Sequence, residues 1–240
     1  MKLALILMSL LITATITTQA QSKGRPKLDL NVEVFDCGQS SSLDQLIELG
    51  KKFHIPMGIE WSYKAYEKVA APIHLGDVTV SEIVKQILKQ QPGYDFEERW
   101  GIVHIYDRAV LTNKANFLNL RFPEFRVTDE NLFGVTFQLR VLIKQILHPT
   151  PGYGGGYGYG PGRADGFDVL KVSIKGNDIS VREVLSQAVV KQDNALWLVI
   201  FHPDEMMAGE PFYGQGYQSA RESVATYFNW EFIALNDHKY

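Results

Sequence analysis

Residues 73–106 read IHLGDVTVSEIVKQILKQQPGYDFEERWGIVHIY, and this stretch decides the fold. Val80, Ile83, Val84, Ile87 and Leu88 recur at i, i+3, i+4, i+7 and i+8, a spacing that puts five apolar side chains on one face of a helix. Thr79 precedes them as N-cap, and Glu82 three residues on completes a capping box. In such a box each side chain takes a backbone N–H that the helix leaves unpaired, and the cap contributes about 0.5–2 kcal/mol. Pro92-Gly93 ends the helix, and strands over 94–98 and 102–106 are expected around a turn at Trp100-Gly101. The unit is strand, helix, hairpin.

The unit recurs. At a spacing of 101 residues, Asp178, Ile179, Ser180, Val181, Glu183, Val184 and Leu185 fall on Asp77, Val78, Thr79, Val80, Glu82, Ile83 and Val84. Ser180 with Glu183 repeats the cap, Val181, Val184, Leu185, Ala188 and Val189 repeat the apolar face, and an apolar strand over 196–201 follows. The pattern implies an internal repeat, the alternative being two unrelated α+β units.

The 240 residues suit one domain of moderate size or two small ones, and 45% apolar content is ample for a packed core. A formal charge of −3 and the lack of a long basic run give no sign of a nucleic-acid partner. Residues 1–20 read as a signal peptide: Lys2 leads, an apolar run follows, and Thr18-Gln19-Ala20 resembles a cleavage site after Ala20. That run is short for a membrane span, which needs about 20 apolar residues, and no other segment is expected to cross a bilayer. A periplasmic or secreted location follows. Cys37 is the one cysteine, so it has no internal disulfide partner and reads as a small buried hydrophobe at a strand end.

After a polar segment at 21–27, Leu28, Leu30, Val32 and Val34 alternate as one face of a strand. Ser42 with Gln45 is expected to cap a helix whose buried side holds Leu43, Leu46, Ile47 and Phe53, with a strand over 57–61 beyond Pro56. Residues 28–107 thus run strand, helix, strand, strand, helix, strand, strand. This order, with the wording Leu43-Asp44-Gln45-Leu46, the apolar pattern of 73–88, Tyr94-x-Phe96 and Ile102-x-x-Ile105, resembles the short N-terminal module of secretins and TonB-dependent receptors. The resemblance implies a small α+β domain of two helices packed on short sheets, working in the bacterial periplasm. No outer-membrane barrel or secretin pore is expected, since the sequence ends at Tyr240.

A polar connector over 108–116 leads to a second, related module at 117–235. Residues 117–127, with Pro123, read as an edge or bulged strand. A helix is expected from Thr128, striped by Leu132, Val135, Leu139, Leu142, Ile143 and Ile146, and a final strand over 224–235. The fold class expected is therefore α+β, as two tandem small modules, each with helices packed on short mixed β-sheets. The second module carries a Gly/Tyr-rich insertion at 150–166 and a further loop at 203–222. Gly162 is followed by Arg163 and Ala164, so the insertion is no phosphate loop. Tyr153, Tyr157, Tyr159 and Arg163 are the candidate partner-binding residues, with a plain spacer as the alternative.

No catalytic or cofactor pattern rises above background. The six histidines show no paired metal-ligand spacing, and no G-x-S-x-G occurs. His74 with His104, Cys37 with His54, and the carboxylates of Asp36, Glu97, Glu98 and Asp107 are the pairings that composition allows. No cofactor is expected. Two functions follow: a non-enzymatic exported cell-envelope protein whose modules bind envelope proteins, or a secreted hydrolase or sugar- or peptide-binding protein. The second would place its site between the modules, near Trp61, Trp100, Trp197 and Trp230.

Overall fold

The computed structural model describes residues 27–62, 65, 68–113, 116–147, 171–192, 195–201 and 229–234. Strand β1 (Asn31–Cys37) pairs antiparallel with β5 (Ile73–Thr79). Between them lie β2 (Ser40–Ser41), helix α1 (Ser42–Phe53), β3 (Met57–Ser62) and β4 (Val69–Ala70), the last paired with β2. Helix α2 (Val80–Leu88) follows β5, and the hairpin β6 (Tyr94–Arg99) and β7 (Ile102–Asp107) closes the first half. Trp100 and Gly101 both take positive φ, 53° and 78°, the backbone that a two-residue hairpin turn needs to match strand twist.

Among the described residues the second half repeats part of that order, as strand, helix, strand, helix and two strands. Strand β8 (Arg121–Glu130) pairs antiparallel with β9 (Val172–Ser180), with helix α4 (Leu132–Leu147) between them in sequence. Helix α5 (Val181–Gln192), β10 (Ala195–Phe201) and β11 (Asn229–Ala234) complete it. The correspondence reaches the backbone. Val80 N–H donates to Leu30 O at 2.9 Å where Val181 N–H donates to Leu120 O at 3.0 Å, and Asp77 and Asp178 share a left-handed φ of 51° and 48°. Both caps form as the spacing predicts: Thr79 and Ser180 each accept from the backbone N–H three residues on, and Glu82 and Glu183 reach back.

Several local expectations are corrected. The first alternation does not run through 28–34: Leu28 lies in a 3-10 turn, and β1 turns Val32, Phe35 and Cys37 inward while Val34 is half exposed. The phase changes at Glu33, where the ladder is interrupted opposite the left-handed Asp77, while the register of β1 with β5 is the same on either side. β8 repeats this at Pro123, which lacks a ladder partner, so Phe122, Phe125 and Val127 point inward. Helix α1 is capped by Ser41 with Asp44, one residue before the expected pair, and Ser42 and Gln45 are buried. Helix α4 starts at Leu132 rather than Thr128, because β8 continues to Glu130 and the Asn131 side chain accepts the Gly134 N–H at 2.8 Å. Inside the expected connector sits a one-turn helix, α3 (Arg108–Leu111), with Val110 buried and its first turn held by the Asp107 carboxylate.

The fold is α+β, with helices packed against mixed sheets, and one five-stranded sheet in the order β11-β10-β3-β7-β6 draws strands from both halves. Its centre is the parallel pairing of β10 with β3, Leu196 opposite Met57 through Phe201 opposite Ser62. One face carries Met57, Ile59, Trp61, Val103, Ile105, Leu196 and Leu198 against α1 and α2. On the other, Ile102, Ala195, Trp197, Val199 and Phe201 join a core with α4 and α5. No described helix is long and apolar enough to cross a membrane.

Candidate functional site

Strand β3 reads Met-Gly-Ile-Glu-Trp-Ser and is buried along its whole length, so its alternation sets an acid into the sheet's α5 face. Glu60 is completely buried there, and a lone carboxylate in such a place is unstable unless paired and hydrogen-bonded. Arg182, on the first turn of α5, supplies the charge through two parallel contacts: Nε to Oε1 at 2.5 Å and Nη2 to Oε2 at 3.1 Å. His104, buried on β7, places Nε2 2.7 Å from Oε1, and Asn116 Nδ2 donates to Oε2 at 3.2 Å. Both carboxylate oxygens thereby carry two partners. Arg182 is fixed in turn by Asn119 Oδ1 at 2.7 Å. Ser186 Oγ donates to the Arg182 carbonyl at 2.8 Å and lies 3.3 Å from Trp197 Nε1, which can donate to it.

Burial acts to raise the Glu60 carboxyl, but hydrogen bonds from His104 and Arg182, reinforced by the Arg182 charge, outweigh it and hold the group below its ordinary range. Saturated in this way, the carboxylate has no lone pair aimed at a substrate, so it is not placed to act as a general base. Its evident work is mechanical: it ties β3 and β7 of the first half to α5 of the second. His104 Nδ1 is buried without a hydrogen bond, with Glu97 Oε1 3.8 Å away across the β6–β7 hairpin.

Above this network a cleft of about 270 Å³ opens where the β6–β7 turn meets the second half. Arg182 and Asn119 form part of its lining, with Arg99, Trp100, Leu111 and Arg121 around them. The Arg99 guanidinium lies over the Trp100 ring at 4.2 Å. Arg121 Nε bonds Asp178 Oδ1 at 2.7 Å, a second Arg121 nitrogen bonds the Asp178 carbonyl, and its Nη1 lies 3.7 Å from Glu183. The acid lining the cleft, Glu183, and the Ser180 hydroxyl are engaged with each other in the α5 cap. The cleft is thus rich in guanidinium and holds no pair of convergent carboxylates.

The pairings that composition allowed separate in space. His74 is exposed and 3.7 Å from Asp36, while His104 belongs to the Glu60 network. Cys37 Sγ donates to Glu48 Oε2 at 3.0 Å, and burial, then Glu48, pushes the thiol up to about 11; His54 is the α1 C-cap. Glu97 pairs with Arg99, Glu98 accepts the Leu28 N–H, and Asp107 caps α3, so those acids have separate partners. Trp61 and Trp197 are core, on opposite faces of the sheet, and Trp100 lines the cleft. The Trp230 side chain, with Tyr153, Tyr157, Tyr159, Arg163, the segments 150–166 and 203–222 and residues 1–20, lies outside the described residues.

Glu60 and Arg182 were the residues that sequence reasoning missed. One signal was available, a single acid inside the apolar run 55–61. The repeat itself pointed away from Arg182, since the position 101 residues earlier is Ser81, a partly exposed residue with no such duty. Among the described residues no group of three or more His, Cys, Asp or Glu is placed to hold a metal ion. In comparisons with known proteins, no family model, curated protein or solved structure matches this chain.

Proposed function

We propose that this is a non-enzymatic, exported cell-envelope protein whose two α+β units bind other proteins. The observation that carries the reading is helix α4, which is apolar on two sides. Leu132, Val135, Leu139 and Ile143 face the core, while Phe133, Phe137 and Val141, at i, i+4 and i+8, remain 47%, 44% and 38% exposed. In the corresponding helix α1 the residue at the position of Phe133, second after the cap, is Leu43, which is 1% exposed. An exposed apolar stripe on one helix and not on its counterpart is the mark of a contact surface. The signal-peptide pattern and the resemblance to a periplasmic module support export and an envelope setting, and the Tyr/Gly segment at 150–166 remains a second candidate contact.

The test is capture from a cell-envelope extract by residues 21–240, beside a Phe133→Ser/Phe137→Ser variant and a variant lacking residues 152–162. A specific envelope protein retained by the full chain and lost from the helix variant supports the reading. Equal retention by all three removes both surfaces, and no retention even under crosslinking turns the balance to the rival, a hydrolase or small-ligand protein acting at the cleft between the units.

A further inference from the structure

We infer that the cleft between the β6–β7 turn and the second half is a recognition site for the carboxylate side chain of an acidic peptide segment. Three guanidinium groups reach it from three different elements: Arg99 at the end of β6, Arg121 at the start of β8 and Arg182 on α5. They are not equivalent. Arg182 is spent on Glu60 and Asn119 and sits at the floor as one half of a buried ion pair. Arg99 engages one carboxylate, Glu97 at 3.4 Å, through a single nitrogen, in a pair open to solvent. Arg121 is half exposed and holds Asp178 through its side chain and its carbonyl, with Glu183 3.7 Å away, so a ligand takes it by displacing the still more exposed Asp178 carboxylate.

The cap of α5 is not the site, because Ser180 and Glu183 already take its donors. An incoming carboxylate meets two planar forks, of the kind that takes it through parallel hydrogen bonds: Arg99, of which Glu97 holds one nitrogen, and Arg121, which is reached by exchange with Asp178. Beside them the Trp100 ring and Leu111 provide an apolar wall. That combination suits a carboxylate on a short methylene stem, the side chain of glutamate or aspartate. A small diacid shares the head group, but an extended peptide presents several in succession to the exposed arginines. The inference rests on the partner-binding reading only in taking the ligand to be part of a protein.

The experiment is calorimetric titration of residues 21–240 with a tetraglutamate peptide blocked at both ends, with its tetraglutamine twin and with glutarate, at low and moderate salt. Tetraglutamate is expected to bind saturably and more tightly than glutarate, the glutamine twin not to bind, and affinity to fall when salt shortens the Debye length to about 8 Å. Arg99→Gln and Arg121→Gln, both at exposed positions, should each weaken binding by roughly tenfold or more, and Arg126→Gln, an exposed arginine outside the cleft, should not. No binding of tetraglutamate at low salt, equal binding of the glutamine twin or of glutarate, or unchanged affinity in both cleft variants would overturn the proposal. Tetraglutamate binding without capture of any envelope protein would remove the partner-binding reading and leave the cleft; capture that survives both cleft substitutions, with no peptide binding, would do the reverse.

Discussion

Strands β6 and β10 each follow the capped helix of their half, yet one lies at the edge of the sheet and the other near its middle. β6 reads Tyr-Asp-Phe-Glu-Glu-Arg and is buried only at Tyr94; β10 reads Ala-Leu-Trp-Leu-Val-Ile-Phe and is buried at all but Ile200. On β6 the Phe96 N–H is taken by the neighbouring Asp95 carboxylate at 2.9 Å and the Tyr94 N–H by Gln91 O at 2.9 Å. A strand that satisfies its own edge and carries charge does not recruit another strand. β10, apolar on both faces, needs cover on both, and by pairing with β3 it gains α1 and α2 on one side and α5 on the other. The same place in a repeat is therefore an end or a junction according to its charge.

That contrast can be broken first at the ionic tie beside the junction. Arg182→Ala removes the guanidinium and leaves Glu60 buried with only His104 and Asn116, and should lower stability by about 3–5 kcal/mol in denaturant unfolding. The double variant Glu60→Met/Arg182→Met should recover most of the loss, because no buried charge remains; a double variant as unstable as the single would place the loss in packing rather than charge. Next is Gly58, where a Cβ would meet the Trp197 indole at 2.4 Å, so Gly58→Ala should cost about 1–3 kcal/mol and shift the fluorescence of that tryptophan.

Acid sharpens the comparison further. Glu60 has a carboxyl held below its unfolded value, so its contribution is present above about pH 4.3 and lost as the pH falls through the folded pKa. Glu60→Gln should flatten that part of the stability profile, and an unchanged acid limb would assign it to other groups. The smallest effect is expected at the edge: Asp95→Val frees the Phe96 N–H and removes a charge, changing stability by about 0.5 kcal/mol or less. Sedimentation should nevertheless show concentration-dependent association, and a monomer at all concentrations would mean that the remaining charges of β6 suffice to protect it.

Much of this fold was legible because its signals are local. A capping box joins residues three apart, a helical face residues three and four apart, and a two-residue turn adjacent ones, so Thr79 with Glu82, Ser180 with Glu183, and Trp100-Gly101 could be read directly. The errors arose where a local pattern had two readings and pairing chose between them. Leu28 to Val34 alternate well, but the phase reverses at Glu33, where the ladder is interrupted opposite the left-handed Asp77, a residue 44 positions away that the alternation of β1 does not register. Ser41 and Ser42 are both plausible caps; Ser41 takes the role while Ser42 is buried on the helix.

The amino-acid sequence by itself determined the α+β class, the two capped helices with the strands that flank them, and the hairpin, since each depends on neighbours within a turn or a strand. Tertiary structure alone decided that β10 lies beside β3, that Glu60 meets Arg182 across 122 positions of chain, and that an arginine cleft forms above them. Those outcomes depend on which faces must be covered and which charges must be paired once the halves meet, and no spacing along the chain encodes a meeting between surfaces.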